Sequence, residues 1–441
     1  MGSLSIFVGR NARNKVLEMT QIYLKNIKII DSGSEWHGKK AYVHIKDGKI
    51  ESVSPIPLDI KNAVEVEGEN LYVSQGWIDL RANFCDPGFE YKEDILSGLE
   101  SAAYGGFTGV AILPETDPAL VSKSSIEYVL RKAEGNVVNL YPLASISSSR
   151  ENESLTEMFD VQEAGARGFS SGYKPVKDSG FLLRAMEYAG MTKLPLMVRP
   201  ENPGIAGKGL VNEGVVSVRL GLKGIPSIAE ESDINKILHL CEYTGQPIHL
   251  SCVSTKGGMA AIEKAHKEGL KVTADVSIHH LYYDEEDLGM FDTRLKLRPP
   301  LRTAEDKEYL RQAVLNNDFV AVVSDHTPHE EDRKQCEFEL AGYGATGLQT
   351  VFSQLLHIFG NDKIDKIVEI LTVRPGKIMN LTPNPITKDS IANLTIFDSS
   401  KSWTLNDETN KSKSKNSPLW EKELKGKAIA VVNNGHVKNL N

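Results

Sequence analysis

The stretch KEDILSGLESAAYGG at residues 92–106 is followed at once by TGVAILP at 108–114. The first piece carries apolar residues at helical spacing and ends in Gly-Gly. The second is a continuous apolar run of strand length. The same pair recurs down the chain. SGFLLRAMEYAGM (179–191) precedes LPLMVRP (194–200), DINKILHLCEYTG (233–245) precedes QPIHLSCVS (246–254), GGMAAIEKAHKEG (257–269) precedes LKVTADVS (270–277), and DKEYLRQAVLNN (306–317) precedes DFVAVVSDH (318–326). A one-sided helix leading into an unbroken apolar strand is the mark of a parallel βα unit, because parallel strands are buried on both faces. At least six such units in a row favour an α/β fold that closes into a (β/α)8 TIM barrel over an open sheet. The barrel is assigned to residues 74–384.

Outward from the barrel the pattern changes. IYLKNIKII, KKAYVHIKDGKIESV and AVEVEGENLYV lie between residues 21 and 73 and are rich in β-branched and aromatic residues, with a turn signal at Asp47-Gly48. ANLTIFD and AIAVVNNGHV near the C-terminus read the same way, the second with a signal at Asn434-Gly435. Residues 21–73 and 385–438 are therefore expected to form one small β-sandwich module, with LNDETNKSKSKNSPLW between the late strands as a polar loop. Residues 1–20 are read as a flexible extension, with Met19 as an alternative start.

Composition narrows the function classes. The chain has 441 residues, enough for one large barrel plus a smaller module, with 40% hydrophobic and 25% charged residues and a formal net charge of −8. Charges of both signs are interspersed, which argues for solubility and against a nucleic-acid surface. No apolar run is long enough to span a bilayer. Four cysteines without a CxxC pair exclude a zinc ribbon or redox motif and suggest a reducing cytoplasm.

In a barrel the chemistry sits at the C-terminal ends of the strands. Asp325-His326-Thr327-Pro328-His329 follows FVAVVS, and a carboxylate with two imidazoles there suits acid/base work or metal ligation; the plainer reading makes Asp325 a turn cap. His279 and His280 follow another strand, and adjacent side chains point opposite ways, so each is read as a hydrogen-bonded structural histidine. His249 and Cys252 flank IHLSC and are read as structural, Cys252 as a small buried hydrophobe. Arg81, Asn83 and Cys85 alternate after GWIDL and face one side, which reads as a polar pocket wall or as ordinary strand-end polarity; arginine, always protonated, does not ligate a metal. Arg199 and Arg298 are further cations at loop starts, each by itself read as a salt-bridge or capping residue rather than a substrate clamp.

These positions fall in segments that resemble bacterial dihydroorotase of the amidohydrolase superfamily. GWIDLRANFCDPGFEYKEDILSG, VNEGVVSVRLGLKGIPSIAEE, VSTKGG, TADVSIHHLYYDEED, RPPLRT, SDHTPH and CEFELAGYGATGLQT resemble family segments in the same order, from residue 76 to about 380 and more weakly through the β module. The resemblance separates the chain from hydantoinases of similar layout. It implies an enzyme that interconverts dihydroorotate and carbamoyl aspartate through zinc-bound hydroxide. It also implies where ligands should stand, and there the chain departs. A His-x-His-x-Arg motif is replaced by Arg81, Asn83 and Cys85. The acidic or carboxylated-lysine ligand falls at Ser170, Ser171 and Gly172, and the two later histidines at Arg199 and Cys252. Asp325 alone keeps a ligand identity. Among the residues the resemblance assigns to the substrate pocket, Glu115 and Arg298 replace asparagines and His329 is kept.

Three readings follow. The first is a non-catalytic homologue without bound zinc, a structural partner of aspartate transcarbamoylase as the resemblance implies. The second is an active cyclic amidohydrolase with a rebuilt site, using Cys252 or a displaced metal. The third is a binder of a small anionic ligand through Arg81, Arg199, Arg298 and His329, without turnover. Arg81, Arg199 or both are expected to pair with Asp325 and Glu115 in place of the metal. A homo-oligomer is a further expectation.

Overall fold

A computed structural model describes residues 21–148 and 154–440. The expected extension at residues 1–20 lies outside the described residues. Eight parallel strands form the barrel: β1 (Trp77–Ala82), β2 (Phe107–Ile112), β3 (Asn139–Ser145), β4 (Gly168–Ser170), β5 (Leu196–Val198), β6 (Ile248–Leu250), β7 (Val272–Ser277) and β8 (Val320–Val323). Each pairs with the next in sequence, so every crossover is a local βα step. The seam between β8 and β1 is held by a parallel bridge from Ala82 to His326, with the Asn83 N–H donating to the His326 carbonyl at 2.9 Å. The TIM barrel expected from the repeat is thus the observed fold.

The helices begin where the sequence can cap them. Asp94, Ser122 and Thr303 each close a capping box on the residue three positions on, and Thr255 accepts from the Gly258 N–H. The helix Ile228–Thr244 stops at Gly245 in the left-handed conformation. Apolar stripes of these helices and the outer faces of the strands share one core that includes Leu99, Ile126, Phe181, Ile237, Ile262 and Leu310.

The β module is one mixed eight-stranded sheet by hydrogen bonding, built from both chain ends. Leu71–Gln75 pairs antiparallel with Leu394–Thr404, which joins the two ends. Asp47-Gly48 and Asn434-Gly435 turn two of its hairpins with positive φ at both residues, as two-residue hairpins demand. Module and barrel meet at Gly76. A Cβ there would lie 1.9 Å from Thr108 Oγ1 and 2.0 Å from Asn393 Oδ1, so only glycine allows the passage. Beside it the Trp77 ring packs on Phe352 and Phe397, with centroids 4.9 and 5.3 Å away.

The polar stretch after residue 404 is a loop, as read, but not a solvated one. Ser412, Ser414, Asn416 and Ser417 are buried against the barrel mouth. This strap reaches from the module to the C-terminal end of the strands. The Asn416 amide donates to the carbonyls of Thr327 and Gly344, and its oxygen accepts from the His329 N–H. No helix among the described residues is long and apolar enough to cross a membrane.

Candidate functional site at the barrel mouth

A cavity of about 840 Å³ opens at the C-terminal end of the barrel. Asp325, Arg199 and Arg298 line it, with Tyr173, Lys174, Lys177, Glu201 and Tyr343. Arg81, Glu115 and His329, assigned to the pocket by sequence, are not among its lining residues.

Arg81, at the end of β1, lies behind Asp325. Its Nε donates to Asp325 Oδ1 at 2.9 Å, its Nη2 to the Gly172 carbonyl at 3.4 Å, and its guanidinium sits 5.4 Å from the Tyr173 ring centre. Both partners of the ion pair are nearly excluded from water. Burial pushes the Asp325 carboxyl above the usual carboxylate range, against the pull of Arg81. Burial also opposes the charge of Arg81, yet Cys252, Asp325 and Tyr173 raise its pKa above the ordinary arginine value, so it stays a cation. The expected pairing of Arg81 with Asp325 is present.

The other expected pairings differ. Arg199 meets Glu201 at 3.4 Å, and Arg298 grips the same carboxylate bidentately at 2.7 and 2.9 Å. Glu115 forms no ion pair with an arginine among the described residues and accepts the Tyr173 N–H at 2.6 Å, against Gly172, where a side chain would collide with it. Glu201 was the unread carboxylate. Its signal was its place two residues after Arg199, at a strand end. Burial lowers the pKa of Arg199, and its Nε has no protein partner.

The remaining altered positions are closed on themselves. Asn83 Oδ1 accepts the Cys85 N–H at 2.9 Å, Ser171 Oγ accepts the Arg199 N–H at 3.1 Å, and the Cys252 N–H donates to Asp275 Oδ1 at 2.7 Å. Burial pushes the Cys252 thiol well above its ordinary range and the Cys85 thiol to about 12.

The histidines are structural, with one surprise. His249 lies within the barrel, hydrogen-bonded at both ring nitrogens to Thr273 and Asp275. His280 meets the Pro299 and Pro300 carbonyls. His279 was expected to be hydrogen-bonded too, yet neither ring nitrogen has a partner; burial lowers its pKa to about 3 and keeps it neutral. His326 joins Glu93, a fully buried carboxylate that also accepts from the Ser97 and Ser412 hydroxyls and the Lys413 N–H. His329 turns to the Tyr343 carbonyl at 2.8 Å, and burial lowers its pKa to about 4.

Zinc requires at least three nitrogen, sulfur or oxygen donors converging on one point. These residues do not supply them. The one ligand-type carboxylate is paired with a guanidinium, the neighbouring amide and hydroxyl accept from backbone N–H groups, and the thiol is held neutral. No group of three or more His, Cys, Asp or Glu among the described residues is placed to hold a metal ion.

Residues 71–258 match the family model described as Dihydro-orotase-like. The chain is 36% identical over 375 residues to a protein of Geobacter sp. (strain M21) named Dihydroorotase, covering 84% of this chain and 88% of that one. It is 34% identical over 422 residues to the Dihydroorotase of Syntrophotalea carbinolica, covering 95% and 98%. Among solved structures, the L-hydantoinase (dihydropyrimidinase) of Arthrobacter aurescens superposes with a TM-score of 0.83 at 21% identity, covering 95% of this chain and 96% of that one. The dihydropyrimidinase of Brevibacillus agri superposes with a TM-score of 0.78 at 18% identity, covering 95% of each chain. At such identities these neighbours speak for the fold alone.

Proposed function

We propose that this chain, which belongs to the dihydroorotase family, is a non-catalytic member serving as a structural partner of aspartate transcarbamoylase in pyrimidine biosynthesis. The Arg81–Asp325 ion pair carries the reading. Opening or closing a cyclic amide at neutral pH needs an activated nucleophile, a group to polarise the carbonyl, and a carboxylate free to move a proton. Asp325 is engaged by a buried guanidinium, and no histidine, cysteine or second carboxylate among the described residues is hydrogen-bonded to it. The rebuilt-site alternative needs a Cys252 thiolate, which burial opposes. The four cysteines among the described residues are free, which suits the cytoplasmic setting of the same reading.

The test is metal analysis of the purified protein together with a carbamoyl-aspartate cyclisation assay, with and without added zinc. The expected outcome is substoichiometric metal and no turnover above background. Stoichiometric zinc with robust turnover overturns the reading. Co-purification with a transcarbamoylase chain tests the partnership; failure of the two purified chains to associate counts against it.

A second reading is favoured by one observation, the buried Arg199 Nε without a protein partner. With Arg298, Lys174 and Lys177 lining the same cavity, it suits a small anion held without turnover. Arg81 and His329, which that reading also invoked, are engaged by Asp325 and Tyr343 instead. Millimolar orotate or dihydroorotate is expected to raise the melting temperature, and Arg199→Met to abolish the rise. Absence of any shift in the parent protein counts against it.

A further inference from the structure

The floor of the barrel holds a cavity of about 540 Å³, within the usual range for small-molecule sites. It lies at the N-terminal ends of β1 and β3, beside the helix Val373–Ile378, and the β module contributes Asn393 and Asn433 to its wall. Asn433 is only 2% exposed. Its amide nitrogen donates to the Val137 and Thr108 carbonyls at 3.0 and 3.4 Å, which fixes how the carboxamide faces. Its oxygen accepts from no described residue, an open acceptor on a side chain otherwise withdrawn from water. Tyr141 brings a donor. Its ring packs against Gly109, where a Cβ would lie 2.7 Å from it, and burial raises the pKa of the phenol. The hydroxyl therefore stays protonated. It receives the Asn139 amide at 3.5 Å, and its own proton has no acceptor among the described residues. The Asn393 carboxamide makes no hydrogen bond among the described residues, and its Oδ1 is buried without a partner. A carboxamide held by nothing can offer either an oxygen or an N–H to a ligand.

Gly376 keeps this space open at a cost. It is the fourth residue of the helix Val373–Ile378, and its φ is not left-handed, so the backbone does not demand glycine there. Beyond its own helix backbone, a Cβ would meet only Ile78 Cδ1, at 3.9 Å, an ordinary contact. Glycine within a helix is disfavoured against alanine and leucine. The missing side chain leaves room in the cavity beside Ile78 instead.

The remaining wall is mostly apolar, with Val373 and Leu381 near Ile78, and its one charged residue, Lys377, is paired with Asp318 in the open. A carboxylate or phosphate entering here would lose its hydration with no free cation to replace it. An aliphatic ligand would leave the Asn433 oxygen and the Tyr141 hydroxyl unpaired. An uncharged ring with N–H and C=O groups on its edge satisfies both and lays its faces on the aliphatic side chains. That is the chemistry of a nucleobase, whose edge is read by hydrogen bonds while its faces rest on apolar groups. We propose that the floor cavity binds a nucleobase, free or as its nucleoside, through the Asn433 oxygen, the Tyr141 hydroxyl and the Asn393 carboxamide. The site is separate from the mouth and does not depend on what the mouth does.

The test is equilibrium dialysis of the full chain against uracil, uridine and adenosine at up to millimolar concentration. At least one of them is expected to saturate at one molecule per chain. Tyr141→Phe deletes a single hydroxyl and is expected to weaken binding about fivefold. Gly376→Leu fills the space and is expected to abolish binding, with a melting temperature, measured without ligand, no lower than that of the parent. If Gly376→Leu melts lower, Tyr141→Phe decides. Saturation by uracil and not by the nucleosides assigns a free base; saturation by uridine or adenosine assigns a nucleoside. Absence of saturation by all three overturns the proposal, as does binding indifferent to both variants. Binding that millimolar orotate displaces and Gly376→Leu leaves intact belongs to the mouth and overturns it equally.

Discussion

The two ends of the barrel hold cavities of comparable size and opposite chemistry. The mouth cavity is walled by arginines, lysines and carboxylates, several nearly excluded from water. The cavity at the base, about 540 Å³, is lined by carboxamides such as Gln75, Asn139, Asn393 and Asn433; its one charged lining residue, Lys377, pairs with Asp318 in the open at 3.3 Å. Backbone strain divides in the same way. Cys85, Cys252 and Asp325 adopt left-handed φ values of 59°, 56° and 46° at mouth positions, where cysteine has no local preference for them. At the base, the left-handed residues end helices or turn hairpins: Lys193 is the C-cap of the helix Ser179–Thr192, and Asn380 and Asn434 are of the residue type that favours such φ values. Strained, desolvated charge is tolerated where surrounding bonds over-determine it, and it gathers at sites built for recognition or chemistry. The mouth has that character although no group of three or more His, Cys, Asp or Glu among the described residues is placed there to hold a metal ion.

The comparison breaks if substitutions at the two ends cost the same. The largest effect is expected from Arg81→Met, which leaves the Asp325 charge buried without its partner; equilibrium unfolding in urea should show a loss of roughly 3–5 kcal/mol. Adding Asp325→Leu should recover most of it. Glu93→Gln comes next. An amide nitrogen cannot accept from Ser412 or Lys413, so a loss of roughly 1–3 kcal/mol is expected, with faster amide exchange in residues 405–417.

Lys334, in the excursion at the mouth, gives a pH signature. Its Nζ donates to the Thr293 and Gly342 carbonyls with no carboxylate in contact, and burial lowers its pKa to about 7. The unfolded chain binds this proton up to about pH 10.4. Between these values the unfolded state holds more protons, so stability rises with pH, by up to ~1.4 kcal/mol per pH unit from this group. Lys334→Met should remove that part of the slope in urea titrations between pH 7 and 9. The smallest effect is expected at the base, where Lys377→Met should change stability by no more than ~0.5 kcal/mol, because its ion pair is exposed.

Periodicity made the barrel legible, since each helix and strand writes its own burial into local spacing. Strand ends then made Arg81, Arg199, Arg298 and Asp325 legible as mouth residues. Partner choice was not. Glu115 and Glu201 are both carboxylates near arginines, and only the turn at Gly172 decides that Glu115 faces the Tyr173 N–H while Glu201 takes two guanidinia. His279 read as hydrogen-bonded because burial of an unpartnered imidazole is costly; staying neutral avoids only the larger cost of a buried charge, and it leaves no trace in sequence. The strap was hidden for a related reason. Its serines and asparagines are buried through bonds to residues far away in the chain, and no local pattern records that.

The strap also sets an order of assembly. Glu93 and His326 are buried polar groups, and Glu93 takes two of its hydrogen bonds from Ser412 and Lys413, 319 and 320 positions later. The 324–329 segment likewise waits for Asn416. During synthesis, every barrel strand is made before the residues that finish the mouth. A chain shortened before residue 412 would therefore present a nearly complete barrel with an unsealed rim and an unsatisfied carboxylate, a species suited to retention by chaperones rather than to assembly.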